Sequence, residues 1–163
     1  VSDLPPPDLV EILRVLHRHH VEFVLVGGIA AVLLGAPITT TDIDVVYARD
    51  ERNLERLLTA LEELAAVYRG FEGRGIRPDA AGLAGEGHHI LTTRHGGLDV
   101  LAWAGQRRFY EDLIGQTLVV SDGDLILRVA DLASQIRLKR ETNRPKDRAM
   151  LPILEALARE TGG

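Results

Sequence analysis

From Phe23 to Thr41 the chain reads FVLVGGIAAVLLGAPITTT, nineteen residues without a charge. An uninterrupted apolar run of ~20 residues would span a bilayer as a helix, so what breaks this run decides the kind of protein. Gly27-Gly28, Gly35 and Pro37 interrupt it, and three threonines close it. Paired glycines and a proline end regular structure, so the segment reads as a strand, a tight turn and a short helix. The N-terminus lacks the basic region and unbroken apolar core of a secretory signal. The expectation is a soluble, cytoplasmic protein with no membrane contact.

The rest of the composition suits one globular domain over residues 1–163. Apolar residues make up 45% and charged residues 26%, which excludes a disordered chain, a collagen repeat and a coiled-coil rod. The absence of cysteine excludes a disulfide framework, thiolate zinc sites and a Cys nucleophile, and is compatible with a reducing cytosol. A net charge of −5 argues against a broad nucleic-acid-binding surface. The charge is uneven: Arg128 to Arg148 holds seven Lys/Arg against three Asp/Glu, net +4, while the remainder holds twelve against twenty-one, net −9. An anionic ligand would be drawn to that basic segment, unless it is only a solvated helix face.

Local patterns predict a mixed α+β (α/β) fold, a mixed sheet flanked by helices. Asp8 caps an N-terminal helix over 8–20, in which Leu9, Ile12, Leu13 and Leu16 recur at helical spacing. Phe23–Val26 reads as a buried strand, Ile29–Leu34 as a short helix and Ile43–Tyr47 as a second strand. Asn53 precedes the clearest amphipathic helix, with Leu54, Leu57, Leu58, Leu61 and Leu64 on one face. The glycine-rich stretch from Gly70 to Gly87 reads as a mobile loop over a cleft. A hairpin over His89–Thr93 and Leu98–Ala102 turns at His95-Gly96-Gly97, and Phe109–Ile114 forms a short helix. A second hairpin joins Leu118–Val120 to Leu125–Leu127. The C-terminal helices, about 130–160, comprise one over Ala130–Arg140 and one that starts near Pro145 and kinks at Pro152.

The chemistry concentrates in Gly27-Gly28 and the later Asp42-Ile43-Asp44-Val45. Alternation along a strand puts Asp42 and Asp44 on one face, with Ile43 and Val45 facing the core. Two neighbouring carboxylates resist ionising together unless a cation sits with them. Mg²⁺, with Mn²⁺ as a substitute, takes carboxylate oxygens plus waters and substrate phosphates. A strand turning through Gly-Gly into a helix offers backbone N–H groups to a phosphate. Carboxylates for metal and amides for phosphate describe a site for a nucleoside triphosphate with magnesium. Asp99, in Gly97-Leu98-Asp99-Val100-Leu101, also faces away from the core. If its strand pairs beside the first, three acids converge, and two metals about 3.5–4 Å apart can activate a hydroxyl and stabilise departing pyrophosphate. Asp99 would then be a metal ligand and the general base.

This pattern resembles the DNA polymerase beta-like nucleotidyltransferase superfamily: Gly-Gly or Gly-Ser, a spacer, Asp-x-Asp, and a later strand aspartate. More narrowly, VGGIAAVLLGAPITTTDIDVV, LDVL and IRLKRETNRPKDRAML together resemble the AbiEii-type abortive-infection toxin group and its small relatives. The first segment is also similar to small aminoglycoside and lincosamide nucleotidyltransferases. The resemblance covers about residues 21 to 155. It implies phosphate binding by Gly27 and Gly28, metal binding by Asp42, Asp44 and Asp99, and a triphosphate contact from Lys139. Arg144, Lys146 and Asp147 match the tail motif. The turn lacks the serine of Gly-Ser, and no large acceptor-binding domain of the longer toxins is found here, which leaves the acceptor open.

Each feature has a plainer alternative. Thr39, Thr40 and Thr41 can hold a phosphate, which makes Thr41 a nucleotide-binding candidate, or simply cap a turn. Lys139 and Arg140 can complement a helix dipole, and Arg144, Lys146 and Asp147 can be structural. His17, His19 and His20 lack the spacing of a helical zinc pair and read as polar helix termination. His88, His89 and His95 border the expected cleft without an assigned role; Trp103 and Tyr110 read as core or rim. The leading expectation is transfer of a nucleoside monophosphate to a hydroxyl on a tRNA end, a protein or a small molecule, in a toxin with a cognate antitoxin partner or a small relative of one. The alternatives are a non-catalytic nucleotide- or partner-binding module and a metal-dependent phosphohydrolase or nuclease.

Overall fold

A computed structural model describes residues 8–162; residues 1–7 and 163 lie outside the described residues. In chain order the helices are α1 (Leu9–Arg18), α2 (Gly27–Leu33), α3 (Glu51–Glu63), α4 (Ala80–Ala84), α5 (Tyr110–Leu113), α6 (Leu132–Thr142) and α7 (Pro145–Thr161). The strands are β1 (Phe23–Val26), β2 (Asp42–Tyr47), β3 (Val67–Tyr68), β4 (His88–Thr93), β5 (Gly96–Leu101), β6 (Trp103–Ala104), β7 (Arg108–Phe109), β8 (Thr117–Asp122) and β9 (Leu125–Ala130). Seven of them form one mixed sheet in the order β3-β4-β5-β2-β1-β9-β8. β6 and β7 make a separate small ribbon.

Strand alternation divides the core between the two faces of this sheet. Ile43, Val45, Leu98, Val100 and Leu25 turn to one face, where Ile12 and Leu16 of α1 and Leu57 and Leu61 of α3 bury them completely or nearly so. On the other face Val24 and Val46 pack under Leu113 and Leu138, from α5 and α6. A third cluster joins α2 to α7 through Ala31, Leu154 and Leu157. The second face is closed by apolar residues along only part of the strands, and the uncovered part carries Asp42, Asp44 and Asp99.

The mixed sheet flanked by helices agrees with the sequence reading, and several local expectations are corrected. The segment 70–87 is not an unstructured loop. It follows β3, contains a 3-10 turn at Glu72–Arg74 and includes α4, capped by Asp79 through Gly82 N–H at 2.7 Å. Its anchor is Leu83, fully buried, whose carbonyl accepts from the Tyr47 hydroxyl at 2.6 Å. Asn53 does not precede α3: Asp50 is the cap, accepting from Asn53 N–H at 3.0 Å, and Asn53 lies within the helix. Its buried amide donates to the Glu22 and Ala48 carbonyls and accepts from Glu22 N–H at 2.7 Å. The β4–β5 turn falls at Arg94-His95, because Gly96 and Gly97 pair with Thr93 and Thr92. α6 begins after Asp131, which caps it through Ser134 N–H at 2.8 Å, and not at Ala130. α7 starts at Pro145, as expected, and runs to Thr161 with Pro152 inside it. Among the described residues no helix is long and apolar enough to cross a membrane.

Candidate functional site

Strand pairing brings the acids together. β2 and β5 run parallel with Asp44 directly beside Asp99, and Asp42 beside Gly97. The same row of side chains continues to Ile90 on β4 and Val26 on β1. Asp44 and Asp99 therefore share one floor, as alternation required. A cavity of about 420 Å³ opens above them. Its lining carries Lys139 and Thr142 of α6, Arg144 at the α6–α7 junction and Lys146 of α7, and also includes Gly27, His88, Ile90, Leu101 and Trp103.

The two carboxyls crowd one another. Burial is the largest cause that pushes the Asp44 carboxyl up to about 8, followed by the hydrogen bond and the charge of Asp99, then the charge of Asp42; Lys139 opposes them. A group in this state holds a proton at neutral pH until a cation arrives to replace it.

The cation wall is organised by a carboxylate of its own. Asp147 is completely buried and accepts from Thr142 Oγ1 at 2.7 Å, Arg144 Nε at 2.8 Å and Arg144 N–H at 3.0 Å. Lys139 Nζ lies 3.3 Å from its other oxygen. Burial alone would raise this carboxyl, but the hydrogen bonds from Arg144 and Thr142 and the charge of Lys139 hold it well below the usual carboxylate range. The tail sequence RPKD thus forms a helix start whose acidic residue fixes two cations that act on Asp44. Its buried position was not visible in the sequence, although a carboxylate in the first turn of a helix is a known capping signal.

Not every expected residue enters the cavity. Gly27 and Lys139 line it; Gly28 and Thr41 do not, and Thr41 is exposed. Thr40 is the engaged threonine, donating to the Asp42 carbonyl at 3.1 Å. The room left by the paired glycines is taken by the chain itself. Gly27 has φ +72°, and a Cβ there would fall onto the Asp44 carboxylate; at Gly28 it would meet Thr40 Oγ1 at 2.9 Å. Asp42 turns outward to a residue the sequence reading missed. Arg69 Nη2 donates to Asp99 Oδ1 at 3.0 Å and Nη1 lies 3.9 Å from Asp42 Oδ2. Trp103 is at the rim, as expected, its ring tilted by 55° against that of His88 with centroids 4.5 Å apart.

Three carboxylates form an oxygen donor set suited to a hard divalent cation. Asp44 is clear of Arg69, whereas Asp99 and Asp42 would offer their oxygens fully only after Arg69 moves. Among the described residues no three acids or histidines are already in metal-holding geometry.

No family model and no curated protein matches the chain. Among solved structures it is similar to the crystal structure of a "putative nucleotidyltransferase" from Thermotoga maritima, with a TM-score of 0.57 over 88% of this chain and 87% of that one. The mixed α+β fold is shared with that protein. At 16% identity the likeness is one of fold, and chemistry must be argued from the cavity.

Proposed function

We propose that this chain transfers a nucleoside monophosphate from a nucleoside triphosphate to a hydroxyl acceptor. The observation that carries this reading is the placement of Asp44 and Asp99, on adjacent parallel strands, across one cavity from Lys139, Arg144 and Lys146. One wall suits a polyphosphate, and the floor suits the reacting phosphorus. Mg²⁺, or Mn²⁺ in its place, held by Asp44 and Asp99 and then Asp42, would supply charge neutralisation there. Asp99 takes the proton of the acceptor hydroxyl as its oxygen bonds to the α-phosphorus. The bond from that phosphorus to the bridging oxygen breaks, and pyrophosphate leaves towards Lys139 and Arg144, which Asp147 holds in place. Gly27 has no side chain, so Asp44 reaches the end of β1 and the start of α2. Thr41, Gly28 and the α2 turn are proposed as outer contacts of the nucleotide.

The acceptor is proposed from chemistry alone: a tRNA end, a protein hydroxyl or a small molecule. The similarity of the Gly-Gly, Asp-x-Asp and tail segments to AbiEii-type toxins supports a cytoplasmic toxin role with a cognate antitoxin. A non-catalytic nucleotide-binding module is the second reading, favoured by the Arg69 contact with Asp42 and Asp99. Incubation with each α-labelled nucleoside triphosphate, Mg²⁺ and a cell extract tests both. Label on RNA, protein or a small molecule, absent with Asp44→Ala, is expected. Equal labelling by both proteins refutes transfer by this site. Nucleotide-dependent thermal stabilisation without any product supports the second reading.

A further inference from the structure

The guanidinium of Arg69 lies where the acidic cluster needs a positive charge. Its backbone N–H donates to the Ile90 carbonyl at 2.9 Å, which places the residue at the end of β3 beside β4. From there the side chain crosses towards β5, donating from Nη2 to the Leu91 carbonyl at 2.9 Å and to Asp99 at 3.0 Å. The crossing is possible because position 97 is glycine. A Cβ there would come within 2.7 Å of Arg69 Nη2 and 2.8 Å of the Asp42 Cβ. Gly97 is thus a gap in the side-chain row, opposite Asp42, through which a neighbouring strand delivers a cation to two of the three acids.

We propose that Arg69 is a built-in counter-ion that competes with the divalent cation for Asp42 and Asp99, so that the three-carboxylate site assembles only when the guanidinium withdraws. This rests on the nucleotidyltransferase reading above and adds its regulation. Arginine does not lose its proton in proteins, so the competitor leaves only by moving. Movement is inexpensive here: the Arg69 and Asp42 side chains are 36% and 35% exposed, and ion pairs so open to water are weak and salt-screened. Asp99, only 16% exposed, is the tighter of the two contacts. It gives the guanidinium a resting place while Asp42 is released first.

The test is Mn²⁺ binding to the whole protein without nucleotide, followed by loss of the free-ion electron paramagnetic resonance signal. Arg69→Met keeps the packing and removes the charge; Arg69→Gln retains a donor for the Leu91 carbonyl should the first variant fold poorly. Both are expected to bind Mn²⁺ about two- to fivefold more tightly than the parent, the range set by removing an exposed ion pair. Arg69→Lys keeps the competing charge and stays within about twofold of the parent. In all of them Asp99→Asn abolishes the binding. Unchanged or weaker binding in the neutral variants, with parent binding still dependent on Asp99, overturns the role of Arg69 alone. No Asp99-dependent Mn²⁺ binding in any folded variant overturns the metal-site reading together with it.

Discussion

Replacing Asp147 removes the single anion that holds two cations, a hydroxyl and a backbone N–H at the α6–α7 junction. Breaking a buried charge pair costs about 3–5 kcal/mol when one partner is left behind. Arg144 is 55% exposed and can recover water, whereas Lys139 is 21% exposed and recovers less. The lower end of that range therefore applies to Asp147→Ala, about 3 kcal/mol. For a chain of this length that corresponds to a fall in melting temperature of about 6–12 °C. Asp147→Asn keeps the volume and part of the hydrogen bonding, so about 2 kcal/mol is expected. Urea unfolding with linear extrapolation reads both values. The pH dependence supplies a second check. The carboxyl is held below its usual range when folded, so its contribution is complete above the unfolded value near 4 and drains as pH falls towards the folded one. The parent should lose stability between about pH 4 and pH 2, and Asp147→Asn should lose less over the same interval. A cost below about 1 kcal/mol, the level of an exposed ion pair, or an acid slope identical to the parent's, would refute the buried-anchor reasoning.

Three further outcomes follow from the same geometry. Gly27→Ala forces a side chain into the left-handed region and onto the Asp44 carboxylate; a loss of at least about 1–2 kcal/mol and of nucleotide transfer is expected in melts and labelling assays. Asn53→Ala removes the side-chain partner of the Glu22 N–H and the Ala48 carbonyl and leaves the Glu22 carbonyl with the Ala48 N–H; it should cost about 2–3 kcal/mol by urea unfolding, while Thr59→Ala on the exposed side of α3 should cost under about 0.5 kcal/mol. With divalent cations chelated, the raised Asp44 carboxyl contributes stability that is complete below about pH 4 and is lost as pH rises through about 8. Asp44→Asn should therefore melt higher than the parent at pH 8 while losing activity; a lower melting temperature would contradict the crowding argument.

Much of this arrangement was legible because strand alternation is a strong local signal. Asp42 and Asp44 opposite Ile43 and Val45, and Asp99 between Leu98 and Val100, could be assigned to faces without knowing which strands pair. The parallel register of β2 with β5 is a long-range choice, and no residue of either strand announces it. Arg69 was hidden for a related reason. It sits before a glycine-rich stretch with little periodicity, and only the short β3 pairing brings it over Gly97. Leu83 was hidden too: one large apolar residue on a five-residue helix makes no pattern, yet it anchors the whole segment. Asn53 was misread because asparagine is a common cap; here Asp50 caps the helix and the Asn53 amide bridges Glu22 to Ala48. Asp147 shows the limit of charge counting. A basic tail of net +4 reads as a surface for anions, and the one buried acid that organises it is lost in the sum.

The most direct measurement of the central claim is the fate of an α-labelled triphosphate in the presence of Mg²⁺ and the acceptor, followed in the parent and in Asp99→Asn. The account predicts α-label on the acceptor, one pyrophosphate released per transfer, and a loss of at least about 100-fold in Asp99→Asn, the low end for removing a positioned general base. Free phosphate in place of pyrophosphate, or transfer undiminished in Asp99→Asn, would contradict it.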